Sequence, residues 1–240
     1  MRGKLIEVEG TDCSGKETQS KILVQRLTDA GVKVFEASFP MYNTPTGRIV
    51  GGPYLGKQEI MDGWFKEGAT NVDPKVAALY FAADRRYNIT KINEMLDSGI
   101  NVILDRYVYS NMAHQGCKIL DTRERINMYN WLDVLEFKLL ELPKPDICLF
   151  LHMPYEQAVE LRKTRNTTPD EHEKNKEYLE HAENAYKELA QAYSWKTIEC
   201  TQDGKIKGIQ NISNEIFDYV MSKLWDFTRQ KNWQTLLFVV

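Results

Sequence analysis

Residues 4–19 read KLIEVEGTDCSGKETQ, and this stretch decides the fold. Leu5–Val8 is a strand-like run. Gly10, Gly15 and Lys16 follow with the spacing of a phosphate-binding loop, and Ile22, Leu23 and Leu27 mark a helix behind them. Strand, glycine loop and helix in that order are the context such a loop requires. The glycines let backbone N–H groups turn inward around a phosphate, and the helix start adds its partial positive charge. Lys16 is suited to bridge terminal phosphates and to follow their charge during phosphoryl transfer. One position departs from the pattern: the residue after Lys16, normally a Mg²⁺-binding hydroxyl, is Glu17. Two arrangements answer this. Thr18 serves instead if the helix start shifts, or carboxylates and water hold the ion, which prefers oxygen ligands. On either arrangement Glu17 is expected to point away from the phosphates, since a carboxylate facing them would repel.

Outward from the loop, apolar runs alternate with helical patterns. Strands are expected at Leu5–Val8, Val32–Ala37, Val102–Leu104, Ile147–Leu151 and Lys196–Glu199. Helices are expected at Lys16–Ala30, Pro74–Ser98, Thr122–Leu140, Tyr155–Lys163, Lys174–Tyr193 and Gly208–Phe227. This alternation implies a single α/β domain with a five-stranded parallel sheet and helices on both faces. Ligands of such sheets sit at the carboxyl ends of the strands. Two stretches lack a pattern: Tyr42–Val72, rich in glycine, and Asn166–Glu173, polar with one proline. Long irregular loops in compact domains are often functional.

The 240 residues are 42% apolar and 27% charged, with a net charge of −3. No basic field points to nucleic acid or an anionic membrane, so an anionic ligand must be held by a few local cations. Cys13, Cys117, Cys148 and Cys200 are scattered without metal-type spacing and read as reduced thiols. Met1–Lys4 is too short and polar for a leader, and no apolar run reaches the roughly 18 residues of a membrane span. A cytoplasmic protein is expected.

A second cluster lies at Asn101–Tyr107, NVILDRY: a buried strand ending in an acid and a base. Asp105 is suited to orient a metal-bound water, and Arg106 to clamp a phosphate through two parallel hydrogen bonds. Phe81 and Arg85 are four apart on a helix and share one face. An aromatic beside an arginine suits a stacked base next to its phosphate. Equally, Phe81 is core and Arg85 pairs with Asp84 or another acid.

Taken together, the chain resembles thymidylate kinase over nearly its whole length. The family's markers occur in order: GTDCSGKETQ at residues 10–19, Phe39-Pro40, FAADR ending at Arg85, and Asp105-Arg106-Tyr107. SNMAHQ at Ser110–Gln115, LPKPDICLFL at Leu142–Leu151 and RKTR at Arg162–Arg165 complete the set. The resemblance implies transfer of the γ-phosphoryl of ATP to dTMP, with Mg²⁺, on the route to dTTP. It implies that Gly10, Thr11, Asp12, Cys13, Ser14, Gly15, Lys16, Glu17, Thr18 and Arg162 hold ATP. Asp12 would accept from the 3′-hydroxyl, Phe81 stack on thymine, Arg85 read the base edge and Arg106 grip the acceptor phosphate. Phe39, Pro40, Tyr42, Ser110, Asn111, His114 and Gln115 would join the acceptor site. Lys16, Asp12, Arg106 and Arg165 form the catalytic set, Asp105 and Thr18 the metal candidates. Residues 162–175 would form a lid, with Arg165 reaching the transferring group more than Arg162.

Several departures carry expectations of their own. Met41 stands where many relatives have arginine, with Arg48 a candidate substitute. His114 replaces a tyrosine or phenylalanine near the ribose 2′ carbon and is expected to offer a hydrogen bond to a 2′-hydroxyl. Cys13 leaves the loop without the cation some relatives place there. Gly51–Asp73 is longer than in compact members. Trp131, Leu135 and Leu139 form an apolar stripe that serves either helix core or a homodimer, the family's usual state. Three alternatives stand beside this reading. One is a deoxynucleoside kinase, for which Glu36 is the only candidate base. Another is a kinase of broader deoxynucleoside monophosphate range. A nucleotide-dependent switch is disfavoured, because no NKxD guanine-reading motif occurs.

Overall fold

The computed structural model describes residues 2–163 and 175–236. Five strands form one parallel sheet: β1 (Leu5–Gly10), β2 (Val34–Ser38), β3 (Asn101–Asp105), β4 (Ile147–His152) and β5 (Lys196–Glu199), in the order β2-β3-β1-β4-β5. Ile6 of β1 lies opposite Ile103 on one side and Ile147 on the other. The central strand is buried on both faces. Ile6 and Val8 pack with Leu23 and Leu27 of α1 (Lys16–Asp29) and with Ile212, Ile216 and Val220 of α8 (Ile209–Leu236). Leu5 packs on the opposite face with Ile89 and Leu96 of α3 (Pro74–Asp97) and Leu189 of α7 (Lys176–Ala192). Glu7 and Glu9 share that second face by the two-residue period of a strand, and both are fully buried.

The helices α2 (Pro45–Ile49), α4 (Val108–Gly116), α5 (Thr122–Leu132) and α6 (Tyr155–Lys163) complete the helical layers. Helix α3 starts sharply because Asp73 accepts from the backbone N–H groups of Lys75 and Val76, and Pro74 supplies the first helical φ. A short hairpin, β6 (Thr201–Gln202) and β7 (Lys205–Ile206), precedes α8. Its turn is Asp203-Gly204, both with positive φ, as a two-residue hairpin demands.

Most element boundaries follow the sequence within two residues, although α8 runs on to Leu236, nine residues past the expected Phe227; three further differences are informative. Helix α4 was not expected as a helix; all nine of its residues are buried, with Ser110, Asn111, His114 and Gln115 forming a polar face toward the cavity rather than toward solvent. The expected helix Thr122–Leu140 leaves α-geometry at Asp133 and continues as a wider turn over Asp133–Leu139. That bulge carries Glu136 into the interior. Finally, Tyr42–Val72 is not an irregular loop. Val50–Tyr54 forms a wide helical turn and Ala69–Asn71 a short 3₁₀ turn. Val50, Tyr54, Leu55, Ala69, Val72 and Ala77 make a separate small core with Tyr42, Phe65, Tyr80 and Phe81 around it. Asn166–Glu173 and the residues after 236 lie outside the described residues. Among those described, no helix is long and apolar enough to cross a membrane.

Candidate active site

The phosphate loop leaves β1 at Gly10, where φ is 158°. A Cβ there would lie 2.7 Å from the Leu151 carbonyl oxygen and 2.6 Å from Ser14 Oγ, so only glycine passes this close to β4. Gly15 caps α1 with φ 85°, and Cys13 takes φ 62° between them. Thr11 Oγ1 donates to the Met153 carbonyl at 3.3 Å, tying the loop to the chain beyond β4. Lys16 is buried, and its Nζ donates to the Thr11 carbonyl at 2.7 Å and reaches Ser14 Oγ at 3.5 Å. Burial, reinforced by the Arg106 guanidinium, lowers the Lys16 pKa to about 8. Such an ammonium is suited to accept negative charge, because a phosphate replaces the solvent it has lost.

Glu17 and Thr18 are exposed. Glu17 bonds Lys21 one turn along at 2.6 Å, so it faces solvent and a cation as expected from its charge. Asp105 is the better metal candidate. It ends β3 opposite Val8, and its buried Oδ1 has no hydrogen-bond partner among the described residues. Burial raises the Asp105 pKa, against the pull of Lys16 and Arg106. An orphaned carboxylate oxygen beside a phosphate loop fits a hydrated Mg²⁺. Among the described residues, no group of three or more His, Cys, Asp or Glu side chains forms a metal cluster.

Beyond β3 the chain turns through Arg106, whose φ is 66°, a conformation non-glycine residues rarely adopt. Its guanidinium pairs with Asp12 of the phosphate loop and donates through Nη1 to Ser110 Oγ (3.3 Å), Tyr186 OH (3.1 Å) and His114 Nε2 (3.1 Å). Arginine only donates, so His114 carries its proton on Nδ1, 2.9 Å from the Tyr178 hydroxyl. Both ring nitrogens are therefore engaged, which corrects the expectation that His114 is free to bond a 2′-hydroxyl. Asp12 is likewise committed to Arg106.

Beside Arg106 opens a cavity of about 80 Å³ that is partly open to solvent. Asp12, Phe39, Pro40, Tyr42, Phe81, Arg85, Arg106, Ser110, Asn111, His114 and Gln115 all line it. The expected acceptor residues thus converge, although 103 positions separate Asp12 from Gln115. Phe81 stands on the wall, edge-on to Tyr54 with ring centroids 5.5 Å apart. Gln115 is fully buried, and neither amide atom has a partner among the described residues. Asn111 Oδ1 is also unpartnered. Leu55 and Tyr107 were not expected and also line the cavity.

Arg85 follows the alternative reading, in which it pairs with an acid. It lines the cavity, but its Nε and Nη2 form a bidentate pair with Glu136 at 2.5 and 2.6 Å, and Nη1 donates to the Tyr107 carbonyl at 3.2 Å. Asp84 is not its partner. Asp84 accepts instead from Met41 N–H (2.9 Å), Thr46 Oγ1 (2.8 Å) and Asn88 (2.8 Å), pinning the segment after Phe39-Pro40. Arg48 is exposed and does not line the cavity, so it does not replace an arginine at position 41. Glu36 does not line it either; partial burial raises its pKa. Trp131 and Leu135 pack against the core, while Leu139 is exposed, so the apolar stripe is largely the chain's own. Arg162 is part-exposed near the end of α6; Arg165 and most of the expected lid lie outside the described residues.

Glu9 is a site residue that motif reading passes over. Its Oε1 accepts from the backbone N–H groups of Tyr107 and Ser110, both at 3.0 Å. Its Oε2 accepts from Ser110 Oγ at 2.6 Å and Tyr186 OH at 2.9 Å. A strand carboxylate thereby caps α4, which has no side-chain cap of its own. Glu7, two residues earlier, accepts from Tyr109 N–H at 3.2 Å, and burial together with Glu9 raises its pKa well above the usual carboxylate range. The available signal was two acids alternating inside an otherwise apolar strand.

Comparison with known proteins places the whole arrangement. A family model described as thymidylate kinase matches residues 8–211. A probable thymidylate kinase of Methanocaldococcus jannaschii is 34% identical over 217 residues, 90% of this chain and 94% of that protein. Human thymidylate kinase is 30% identical over 203 residues, 84% of each chain. The solved structure of thymidylate kinase from Candida albicans aligns with a TM-score of 0.70 over 92% of each chain at 24% identity, which establishes a shared fold.

Proposed function

The chain belongs to the thymidylate kinase family, and from that premise we infer that it transfers the γ-phosphoryl group of ATP to dTMP, giving ADP and dTDP. One observation carries the reading. The fully buried, unpartnered amide of Gln115 lies with the ring of Phe81 in the cavity that Arg106 also lines. An amide offers a donor and an acceptor to a base edge, the ring offers a stacking face, and the guanidinium a phosphate grip.

In this mechanism the loop amides of residues 10–16 and Lys16 bind the ATP phosphates. Arg106 orients the dTMP phosphate, whose oxygen attacks the γ-phosphorus in line. The nucleophile is already anionic, so the chain supplies charge neutralisation and alignment rather than a general base. Asp105 would hold a hydrated Mg²⁺, which would supply neutralisation of the charge developing on the phosphates. Phe81 stacks on thymine while Asn111 and Gln115 read its edge. Arg85, held rigid by Glu136, offers only its remaining N–H groups. A lid over residues 162–175 with Arg165 as the moving cation, cytoplasmic location and pairing of two copies complete the proposal. The exposed Leu139 supports the pairing.

A coupled ADP-release assay with dTMP, thymidine, or no acceptor tests the reading. Release with dTMP alone is expected. Turnover of thymidine with none of dTMP would assign a nucleoside kinase instead.

A further inference from the structure

The segment 50–73 has no role in the phosphate chemistry, yet it forms one wall of the acceptor cavity. Leu55 lines that cavity, and Tyr54 behind it supports Phe81 edge-on at an interplanar angle of 84°. The Tyr54 hydroxyl donates to the Ala69 carbonyl at 3.0 Å, which closes the segment on itself. A second wall comes from α4, with Asn111, His114 and Gln115.

Lys118, two residues beyond α4, joins the two walls. Its Nζ donates to the Ala69 carbonyl at 3.1 Å, to the Val72 carbonyl at 3.2 Å and to the Tyr54 hydroxyl at 3.4 Å. The ammonium also lies 5.9 Å from the Tyr54 ring centroid. These partners are 46 to 64 residues away in the chain, and all three acceptors are neutral oxygens. Partial burial of an ammonium against neutral acceptors is unfavourable unless its geometry is fully used. Burial lowers the Lys118 pKa to about 8.

We propose that Lys118 is a positioning residue for the acceptor nucleotide: it latches segment 50–73 onto α4 and so holds Tyr54, and through it Phe81, in place for a stacked pyrimidine. The proposal rests on reading the cavity as the dTMP site. It predicts an effect on one substrate only, because Lys118 touches nothing in the phosphate loop.

The test is steady-state kinetics of Lys118→Met, which keeps the apolar stem and removes the charge. The KM for dTMP should rise about tenfold, the scale of one or two lost hydrogen bonds from a charged donor. The kcat and the KM for ATP should stay within about twofold, since the lost contacts support neither the reacting phosphates nor ATP. Lys118→Arg should recover most of the dTMP affinity. Parent KM for dTMP in Lys118→Met, or equal losses for both substrates, would overturn the latch. Should Lys118→Met fail to fold, Tyr54→Phe removes one acceptor while keeping the ring, and a KM shift for dTMP in the same direction is required. Hydrogen exchange separates the latch from the functional reading. Lost protection confined to residues 50–73 supports the latch even if the parent enzyme ignores dTMP, and unchanged protection there sinks it.

Discussion

Lys16 and Lys118 are both ammoniums lowered to about 8 by burial, and both bond neutral oxygens. Lys16 sits in a loop of consecutive residues whose backbone defines the donor site. Its partners, Thr11 and Ser14, are within five positions. Lys118 joins carbonyls some fifty residues distant on a separate small core. The donor half is a local structure, complete once the strand, glycines and helix are in place. The acceptor half is assembled from four separate chain segments, and its buried charges hold those segments together. Charge in the first half is kept for a ligand, and in the second it is spent mostly on architecture.

The sharpest way to break this contrast is through Arg85 and Glu136, whose side chains are 2% and 0% exposed. Glu136→Gln leaves a buried guanidinium without its carboxylate. Denaturant unfolding should show a loss of about 3 kcal/mol or more, as for other broken buried pairs. Lys16→Met should show no such loss, because the described hydrogen-bond partners of Lys16 are the Thr11 carbonyl and the Ser14 hydroxyl, and its burial already disfavours charge. Equal destabilisation by the two variants would erase the distinction.

Next in size is the catalytic effect. Lys16→Ala should remove roughly 3 kcal/mol of transition-state stabilisation, seen as a fall of over a hundredfold in kcat. Single-turnover kinetics at saturating ATP and dTMP checks it. A parent rate would take Lys16 out of phosphoryl transfer and leave the donor half a structural loop.

A smaller effect should separate the halves by pH. The groups facing Lys118 are Asp73, the Tyr54 hydroxyl and the Cys117 thiol, itself pushed up to about 12 by burial. Lys118 is charged below pH 8 in both folded and unfolded chains. Between about 8 and 10.5 the folded chain loses a proton that the unfolded chain keeps. The unfavourable burial of charge is thereby relieved, and the latched state gains stability as Lys118 loses its proton. The KM for dTMP should therefore fall above pH 8. With ATP saturating, Lys118→Arg should flatten that fall, since arginine stays charged. A fall that persists unchanged in Lys118→Arg assigns the titration to another group.

The smallest effect concerns Glu17, bonded to Lys21 on the surface. Glu17→Thr should leave the melting temperature within error, because exposed pairs contribute little. Mg²⁺-dependent turnover should also persist. Loss of Mg²⁺ dependence in Glu17→Gln would make the carboxylate a metal ligand and bring an acidic side chain into the donor half.

The sequence by itself determined the parallel sheet, the phosphate loop and the roster of acceptor residues. Each of those depends on short-range pattern: apolar alternation, glycine spacing, an acid and a base at a strand end. Tertiary structure alone decided how the acceptor residues are held. Helix α4 is buried on every side, so its polar face of Ser110, Asn111, His114 and Gln115 turns to the cavity and not to solvent. Glu9, a strand residue, caps that helix from 101 positions away. The bulge at Asp133–Leu139 turns Glu136 inward to Arg85, and both His114 nitrogens are taken by Arg106 and Tyr178. Residues 50–73, which lack any pattern, gain a core only when Lys118 and α3 close over them. The physical reason is the same in each case. A buried polar group must find a partner somewhere in the fold, but nothing in its local spacing says which one.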